Sequence, residues 1–435
     1  MALGGGLFVT QNKVLPGTYI NFVSAARARA ALSDRGIVAI PLSLNWGEEA
    51  TVFTVTNEDF TKESVKIFGY AYDAEELKGL RDLFANAKKV YFYRLNSGGT
   101  KATNTYATAL YGGVRGNDFK IVIASNVDDS SKFDVSTILG TKVLDIQTVS
   151  SAAELKANDY VTFKAEATLE ITSAISLSGG TNGTVDGTAE QDALAALEAY
   201  SFNILACLST TSSVKSLYVE YTKRLRDEMG VKFQLVVYNQ AANYEGVISV
   251  KNMVTDQDAE ASSLVYWVAG AEADSAINKS CTNKTYDGEY TVYSNYKQSE
   301  LEAAITGGEL AFHKVGDEVR VLDDINSLVS VTEEKGEDFK SNQTIRVLDQ
   351  VGNDIALLFN NKYLGKIQNN KAGRVSFWSD IVAYDKELEK LQAIEDFDSA
   401  EVSVELGNDK KSVVAVNPIQ PVNCMTKLYM TVVVQ

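Results

Sequence analysis

The residues that could carry chemistry are few and lie far apart in the sequence. The chain has one histidine, His313, in the stretch LAFHKV. A histidine isolated in a strand is more often structural than catalytic, because a general base needs an orienting partner. The three cysteines, Cys207, Cys281 and Cys424, are odd in number and lack CxxC spacing. We therefore expect reduced thiols in a chain made in a reducing compartment.

No other spacing in the sequence fits a metal, phosphate or nucleophile site. The stretch VDDSSKFD has three aspartates but lacks the glycine and the closing glutamate of a calcium loop. Glycine-rich stretches at 4–6, 111–117 and 177–187 match no phosphate-binding motif, and turns are the simpler interpretation. The sequence also lacks a GxSxG nucleophile elbow. These patterns predict that the protein is not an enzyme and has no metal ion or cofactor.

Composition disfavours several classes of partner. The 435 residues carry a formal net charge of −16, and the pI is about 4.7. Nucleic-acid binders usually have a basic footprint, so we expect no nucleic acid. No apolar run approaches the roughly 18 residues of a membrane span, which predicts no membrane insertion. The N-terminal stretch lacks the charged and apolar regions of a secretory signal.

The elements that would position any site change character along the chain, and they predict a multidomain α/β fold. Residues 26–97 have the strands GIVAIPLSL and KVYFYRL around the helix DAEELKGLRDLFANAK, which opens with Asp73 and Glu76 at capping-box spacing. Residues 98–178 have the short strands FKIVIAS, KVLDIQTV, YVTFKA and ATLEIT, without a long amphipathic helix. This second pattern predicts an inserted all-β domain.

Strands and helices alternate again over residues 179–335. The strands FNILACL and KFQLVVY, with one helix capped at Thr188 and another at Ser299, indicate a largely parallel sheet covered by helices. The stretch GELAFHKVGDEVRVL predicts a hairpin. Residues 336–416 contain two longer helical patterns and the hairpin AEVSVELGNDKKSVVAV, which predict an α+β C-terminal domain.

Both ends of the chain are predicted to be extended arms. The C-terminal arm, 417–435, finishes in KLYMTVVVQ, and the N-terminal arm, 1–25, contains the alternating GTYINFV. An unpaired apolar strand is a template for another chain, although on this pattern alone the strands could also pair within their own chain. The candidate strand residues for pairing between subunits are Thr18, Tyr19, Ile20, Asn21, Phe22, Val23, Leu428, Tyr429, Met430, Thr431, Val432, Val433 and Val434. The hinge candidates beside these strands are Pro16, Gly17, Pro418 and Pro421.

Segments along nearly the whole chain resemble contractile tail sheath proteins of myovirus-type phage tails and R-type bacteriocins, including phage-like elements of Gram-positive bacteria. In chain order they are PGTYINFVSAARARA, ALYGGVRGNDFKIVI, SLSGGTNGT, RVLDDINSLVS, NQTIRVLDQVGNDIALLFNNKYLGKIQNNKAGR and PIQPVNCMTKLYMTVVV. The block from Ser341 to Arg374 and the terminal block are the most specific, whereas the glycine motifs alone are weak.

The resemblance implies an architecture and an activity. Residues 26–97 and 179–335 would form a core α/β domain with a subtilisin-like sheet lacking a triad. The β domain would be inserted outward, and 336–416 would face a tail tube. The arms would add strands to neighbouring subunits and weave rings of six into a helical sheath. The sheath would contract from a metastable extended state and drive the tube through a bacterial cell envelope.

The same resemblance implies partners and a location. The partners would be further copies of the chain, the tail tube protein, and the baseplate and tail terminator proteins. Assembly would take place in the bacterial host cytoplasm, and the product would be a virion tail or a released bacteriocin particle. The helix DKELEKLQAIEDF could present Lys386 and Lys390 to an acidic tube, although a surface helix of mixed charge is the simpler interpretation.

Two other classes of protein compete with a sheath. An enzyme on an α/β scaffold is disfavoured because the site chemistry is missing. A different self-assembling structural protein, such as a surface-layer or encapsulating protein, is the alternative function. A signal peptide would favour the surface layer, and the sequence shows no such pattern.

Overall fold

The computed structural model describes residues 32–434. Its strands, numbered along the chain, are β1 (Ile37–Leu42), β2 (Val52–Thr56), β3 (Lys89–Arg94), β4 (Lys101–Thr103), β5 (Ala107–Gly112), β6 (Phe119–Ser125), β7 (Phe133–Leu139), β8 (Lys142–Val149), β9 (Val161–Phe163), β10 (Thr172–Ser176), β11 (Ile204–Cys207), β12 (Gln234–Tyr238), β13 (Val247–Val250), β14 (Glu309–Leu310), β15 (Phe312–Val315), β16 (Glu318–Val321), β17 (Ile394–Glu395), β18 (Ser403–Leu406), β19 (Val413–Val416) and β20 (Gln420–Pro421). The α-helices are α1 (Asn57–Phe68), α2 (Lys78–Phe84), α3 (Gly187–Leu197), α4 (Ser212–Lys223), α5 (Leu264–Asp274), α6 (Gln298–Thr306), α7 (Asn342–Leu358) and α8 (Lys371–Lys390). Among the described residues, no helix combines the length and the apolar character that crossing a membrane requires.

The largest sheet has seven strands in the order β14-β13-β12-β11-β1-β3-β2. All neighbours run parallel except β2, which pairs antiparallel with β3 at one edge. Parallel strands are usually buried on both faces, and the short apolar runs IVAIPL and ILAC accordingly form the adjacent central strands β1 and β11. The strands predicted at GIVAIPLSL, KVYFYRL, FNILACL and KFQLVVY are confirmed as β1, β3, β11 and β12.

Alternate residues of β1 enter two separate cores. Val38, Ile40 and Leu42 pack in a core that includes residues of α1, α2 and α5. Ala39, between them, packs in another core with residues of α3 and α4. Successive side chains of a strand point to opposite faces, so this division places helices on both sides of the sheet. The prediction of a largely parallel sheet covered by helices is confirmed.

The β region between β3 and α3 consists of two antiparallel sheets, with the orders β10-β6-β7-β8 and β4-β5-β9. Its core includes Phe119, Ile121 and Ile123 of β6. The prediction of a strand at ATLEIT is wrong, because β10 begins only at Thr172, the last residue of that stretch, and pairs with β6. Ile171, which made the stretch look strand-like, is exposed. The central strand β7 was not predicted.

Three predicted helix starts are wrong. The turn before α2 has Ala74 at its N-cap and gains no side-chain cap from Asp73. Helix α3 is capped by Asp186, whose side chain accepts hydrogen bonds from the backbone amides of Thr188 and Ala189. Thr188 therefore already lies inside the helix. Helix α6 begins after Lys297, and Ser299 is its second residue. An N-cap residue must adopt an extended backbone, and at α3 Asp186 is the residue that does so.

Helix α1 was not predicted, although it carries a capping box. The Thr56 hydroxyl accepts from the Asp59 amide at 3.2 Å, and the Asp59 carboxylate accepts from the Thr56 amide at 3.0 Å. The buried face of α1 is formed by Phe60, Ser64 and Phe68. The polar serine in the middle of this face weakens the apolar periodicity by which a helix is recognised in a sequence.

The described chain divides into two compact units. The main unit comprises Ser33–Asn353, Glu389–Asp396 and the residues from Gln420 on, and the smaller unit comprises Asp354–Leu388 and Phe397–Ile419. In the smaller unit β18 and β19 form the predicted hairpin, with Ser403 opposite Val416 and Leu406 opposite Val413. Its buried core consists of Leu358, Tyr363, Phe377, Ile381, Val382 and Val402.

Candidate assembly interface

The lone histidine lies in a hairpin of the main unit. His313 belongs to β15 and stands opposite Arg320 of β16. Partial burial and the charge of Arg320 lower the pKa of His313 below its ordinary value, which favours the neutral imidazole. This environment fits a structural residue of a hairpin.

One buried cluster has the residue types of a metal site. Glu272, Cys281 and Asp324 place their ligand atoms within 4.8 Å of one another. The guanidinium of Arg346 lies between the two carboxylates, 2.6 Å from Glu272 and 3.4 Å from Asp324. Burial raises the pKa of the Cys281 thiol well above its ordinary value, so the sulfur keeps its proton. An arginine already supplies the positive charge here, and the donor set does not fit a metal ion.

The pKa values of the two carboxyl groups in that cluster are shifted in opposite directions. Burial and the neighbouring Asp324 raise the pKa of Glu272. Burial also acts to raise the pKa of Asp324, but Arg346 and several hydrogen bonds outweigh it and leave that pKa below its ordinary value. The cluster is therefore a buried hydrogen-bonded ion pair, a feature that fixes geometry more than it adds stability.

The first residues of the C-terminal arm that belong to the main unit are held by a strand pair. Strand β20 pairs antiparallel with β17, with Pro421 opposite Ile394. The Val422 amide then donates to the Ala393 carbonyl at 3.0 Å. Pro421, a predicted hinge, is thus held in a strand pair, and the residues from Asn423 to Val434 are exposed.

The described arm residues that were predicted to form a strand are almost fully exposed. The apolar side chains between Leu428 and Val434 are 72–91% exposed, on both faces of the alternating stretch. No hydrogen-bonded strand forms there within residues 32–434. Exposed apolar surface of this kind is typical of sites of contact with another molecule. The N-terminal candidates Thr18, Tyr19, Ile20, Asn21, Phe22 and Val23, with Pro16 and Gly17, lie outside the described residues.

The hairpin β18–β19 of the smaller unit also exposes apolar side chains. Leu406, Val414 and Val416 are 51–53% exposed. The sheet consists of these two strands among the described residues, so both of its outer edges keep unpaired backbone groups. The turn between the strands is held by Asn369, whose side chain donates to the carbonyls of Lys410 and Ser412. The hairpin is thus a two-stranded sheet with a fixed turn and two open edges.

The residues proposed to touch a tail tube lie on α8. Lys386 and Lys390 are both exposed, on the side away from buried residues such as Ile381 and Leu388. A second basic stretch was missed by the sequence reasoning. Between Asp354 and Asp380 the sequence has four basic residues and no acidic one.

We name the exposed side chains of that stretch of the smaller unit the basic surface. It exposes two lysines together with three large apolar side chains, which are Lys366, Lys371, Leu364, Ile367 and Val375. The signal was present in the sequence as a local reversal of charge in an acidic chain.

These features define a class of protein. The described residues bring no reactive constellation together, and a mixed α/β body carries an exposed apolar segment and an open hairpin. An exposed apolar segment and an open sheet edge are typical of proteins that assemble with other chains.

Family models cover almost the whole chain and name the class more closely. Their descriptions, with the residues matched, are tail sheath protein Gp18 domain III N-terminal region (35–95), phage tail sheath protein beta-sandwich domain (97–182), phage tail sheath protein central domain (183–327) and phage tail sheath C-terminal domain (334–435). The phage-like element PBSX protein XkdK of Bacillus subtilis is 35% identical over 99% of both chains. The chain belongs to the phage tail sheath family, which is structural and not enzymatic.

Solved structures agree with the fold. The sheath tail protein from Desulfitobacterium hafniense is 37% identical, with a TM-score of 0.81 over 93% of this chain and 100% of that one. The helical sheath of the anti-feeding prophage in its contracted state has a TM-score of 0.56 over 97% of this chain and 99% of that one. Its identity is 9%, so this second likeness shows the fold alone.

Proposed function

We propose that the chain is a sheath subunit that polymerises as stacked hexameric rings around a tail tube. The sheath contracts from a metastable extended state and drives the tube through a bacterial cell envelope. One observation carries the proposal: in a member of the tail sheath family, apolar side chains from Leu428 to Val434 extend from the body and are 72–91% exposed. The fold shared with a sheath in the contracted state supports contraction.

Strand addition is the proposed joint between subunits. The C-terminal arm of one copy adds to an open edge of the β18–β19 hairpin of another copy, and the N-terminal arm adds a strand in the same manner. Main-chain hydrogen bonds give this joint its direction, and alternate side chains give it its register. Burial of Leu428, Met430, Val432 and Val434 contributes roughly 6–12 kcal/mol before ordering costs, at about 1.5–3 kcal/mol per side chain. A joint of this kind keeps its pairing while rigid bodies move.

The assembly follows from the symmetry of such a joint. The donor and the acceptor are different surfaces of one chain, so the contact is heterologous and repeats into rings or helical filaments. Contraction is then a switch between two packings of rigid subunits, with the extended form trapped by a barrier. No nucleotide hydrolysis is required in this scheme.

The tube-facing surface is proposed to lie in the C-terminal part of the chain. Lys386 and Lys390 on α8 remain candidates, and the basic surface adds Lys366 and Lys371 beside exposed apolar side chains. Both would suit an acidic tube. We further propose that the chain between its arms divides into domains at residues 26–97, 98–178, 179–335 and 336–416, with a subtilisin-like sheet in the core. The proposed partners include proteins of the baseplate and of the tail terminus. Assembly is proposed to take place in the host cytoplasm.

Deleting residues 426–435 tests the proposal. The truncated chain should remain a folded monomer, because the apolar side chains from Leu428 to Val434 are 72–91% exposed and add little to the core, and it should form no tubes. Negative-stain electron microscopy of the full-length and truncated proteins, purified alike, provides the measurement. Circular dichroism and the unfolding midpoint of the truncated chain control for folding. Tubes formed by the truncated chain would show that the C-terminal arm is not the joint.

A further inference from the structure

The first turn of α7 buries an unusual run of polar side chains. Asn342, Gln343, Thr344 and Arg346 are each at most 2% exposed. Buried polar groups are costly unless they are hydrogen-bonded, so each of these side chains must have partners that justify its position. For Gln343 and Thr344 those partners are residues of the C-terminal arm.

The amide of Gln343 bonds the arm as a strand would. Its Nε2 donates to the Val422 carbonyl at 2.9 Å, and its Oε1 accepts from the Cys424 amide at 3.0 Å. In a parallel sheet, one residue of a strand accepts from and donates to the two residues that flank its neighbour. The side chain of Gln343 reproduces that pair of bonds around Asn423.

The side-chain amide of Asn423 is also held by hydrogen bonds. Its Oδ1 accepts from the Ser341 hydroxyl at 2.9 Å, and its Nδ2 donates to the Thr344 hydroxyl at 3.0 Å. Four hydrogen bonds from one helical turn therefore hold three consecutive residues, Val422 to Cys424. The next residue, Met425, is fully exposed. Asn423 and Cys424 are exposed as well, so hydrogen bonds rather than burial fix this part of the arm.

The turn that holds the arm is itself fastened to the centre of the main unit. Asn342 donates to the Asp324 carboxylate at 2.8 Å and accepts from Gln234 of β12 at 3.0 Å. Arg346 donates to Glu272 of α5 at 2.6 Å. Because buried hydrogen bonds to β12, α5 and Asp324 hold the turn from several sides, it provides a mount with a fixed orientation relative to the central sheet.

We infer that Gln343 is a positioning residue for the C-terminal arm. It fixes the point from which the arm leaves the body, so that rearrangement of subunits turns the arm beyond Cys424 without pulling its root from the sheet. The inference rests on the proposed function for the role of the arm in assembly, but the clamp itself has a readout in the monomer.

The experiment compares Gln343→Leu with Gln350→Leu in the full chain. Gln350 is a second buried glutamine on α7 whose amide bonds Ser33 instead of the arm. Hydrogen exchange of the Cys424 amide, measured on monomers, should quicken about tenfold or more in Gln343→Leu, since the variant loses two hydrogen bonds. Gln350→Leu should leave that exchange unchanged. Equal exchange in wild type and Gln343→Leu would overturn the clamp.

A conservative variant separates positioning from general destabilisation. Gln343→Glu keeps the shape of the side chain, but a carboxylate cannot donate to the Val422 carbonyl, whereas a protonated carboxyl can. Ionised or protonated, the glutamate side chain still has an oxygen that can accept from the Cys424 amide. The protection factor of that amide should therefore lie between those of Gln343→Leu and wild type at pH 9 and recover toward wild type at pH 6, because burial raises the pKa of a carboxyl. Absence of any recovery, with the variant folded at both pH values, would count against the clamp.

Tube formation tests the role in assembly. Gln343→Leu should yield fewer or less regular tubes than wild type and Gln350→Leu under the same conditions. If wild type and Gln343→Leu formed equally many and equally regular tubes, the positioning role would be wrong and the sheath proposal would stand. Failure of the wild type to form tubes would count against the sheath proposal, and the exchange measurement would still decide the clamp.

Discussion

Asp385 shows at the scale of one residue how the fold places a charge where the sequence gives no sign of it. The residue is fully buried on α8, and its Oδ1 accepts a hydrogen bond from the side-chain Nδ2 of Asn417 at 3.3 Å. Within residues 32–434, Oδ2 of Asp385 and Oδ1 of Asn417 are buried without hydrogen-bond partners. Burial raises the pKa of Asp385 to about 6. An unfolded aspartate has a pKa of about 3.9, so folding favours the neutral acid.

The sign of the pH dependence follows from this raised pKa. The stabilisation from the neutral acid is complete below the unfolded pKa and is lost as the pH rises through about 6. Asp385→Asn should stabilise the smaller unit at pH 8 by about 1–3 kcal/mol, because the new amide can donate to Asn417 Oδ1 and carries no charge. The gain should shrink as the pH falls from 8 toward 5. Urea unfolding followed by Trp378 fluorescence measures it.

The matched control for Asp385→Asn is Asp128→Asn, at an exposed loop position of the main unit. It should change stability by less than about 0.5 kcal/mol at either pH. If Asp385→Asn destabilised the smaller unit at pH 8, the ionised carboxylate would have to have a partner that stabilises it, and the argument from burial would be wrong.

At the scale of elements, helix caps were the least predictable feature. The pairs Asp73–Glu76 and Ser299–Glu302 have capping-box spacing, yet neither caps a helix, while the box at Thr56–Asp59 was missed. Spacing shows only which side chains could reach the amides. The actual start depends on where an apolar face meets its core, and for α1 a buried serine hides that face in the sequence.

Alanine substitutions at Thr56 and Thr188 test which of the two threonines caps a helix. Thr56→Ala should lower the free energy of unfolding by about 0.5–2 kcal/mol, because the Asp59 amide loses its acceptor. Thr188→Ala should cost less than about 0.5 kcal/mol, since Asp186 caps α3. Urea unfolding of the two variants side by side provides the comparison. A larger loss from Thr188→Ala would restore the cap assignment made from the sequence.

At the scale of the whole molecule, the order of regions was predictable and the order of strands was not. Apolar periodicity changes where α/β gives way to β, and a local pattern records that change. The pairing of β1 with β11 joins Val38 to Ile204, and no local pattern contains it. The same limit applies to the proposed interface. Alternation alone marked Leu428 to Val434, whereas the hold of Gln343 on Cys424 spans 81 residues.

Two surfaces of one chain, the C-terminal arm and the β18–β19 hairpin, would have to meet between copies for a sheath to form. Each copy would give one C-terminal arm and receive one, so removing either function from every copy should stop growth through this joint. The two losses are complementary, because a chain without its arm keeps a normal hairpin. Substitutions at the exposed Val414 and Val416 should leave the fold intact, since these side chains are 53% exposed.

Mixing the two kinds of defective subunit therefore gives a distinctive result. The chain lacking residues 426–435 and the double variant Val414→Asp, Val416→Asp should each remain monomeric and form no tubes. In the mixture, the arm of the hairpin variant can occupy the hairpin of the truncated chain, and no further addition through this joint is possible. Light scattering after size-exclusion chromatography should show one-to-one pairs, and microscopy should show no tubes. Pairs within either variant alone, or tubes in the mixture, would mean that this hairpin is not the acceptor of the arm.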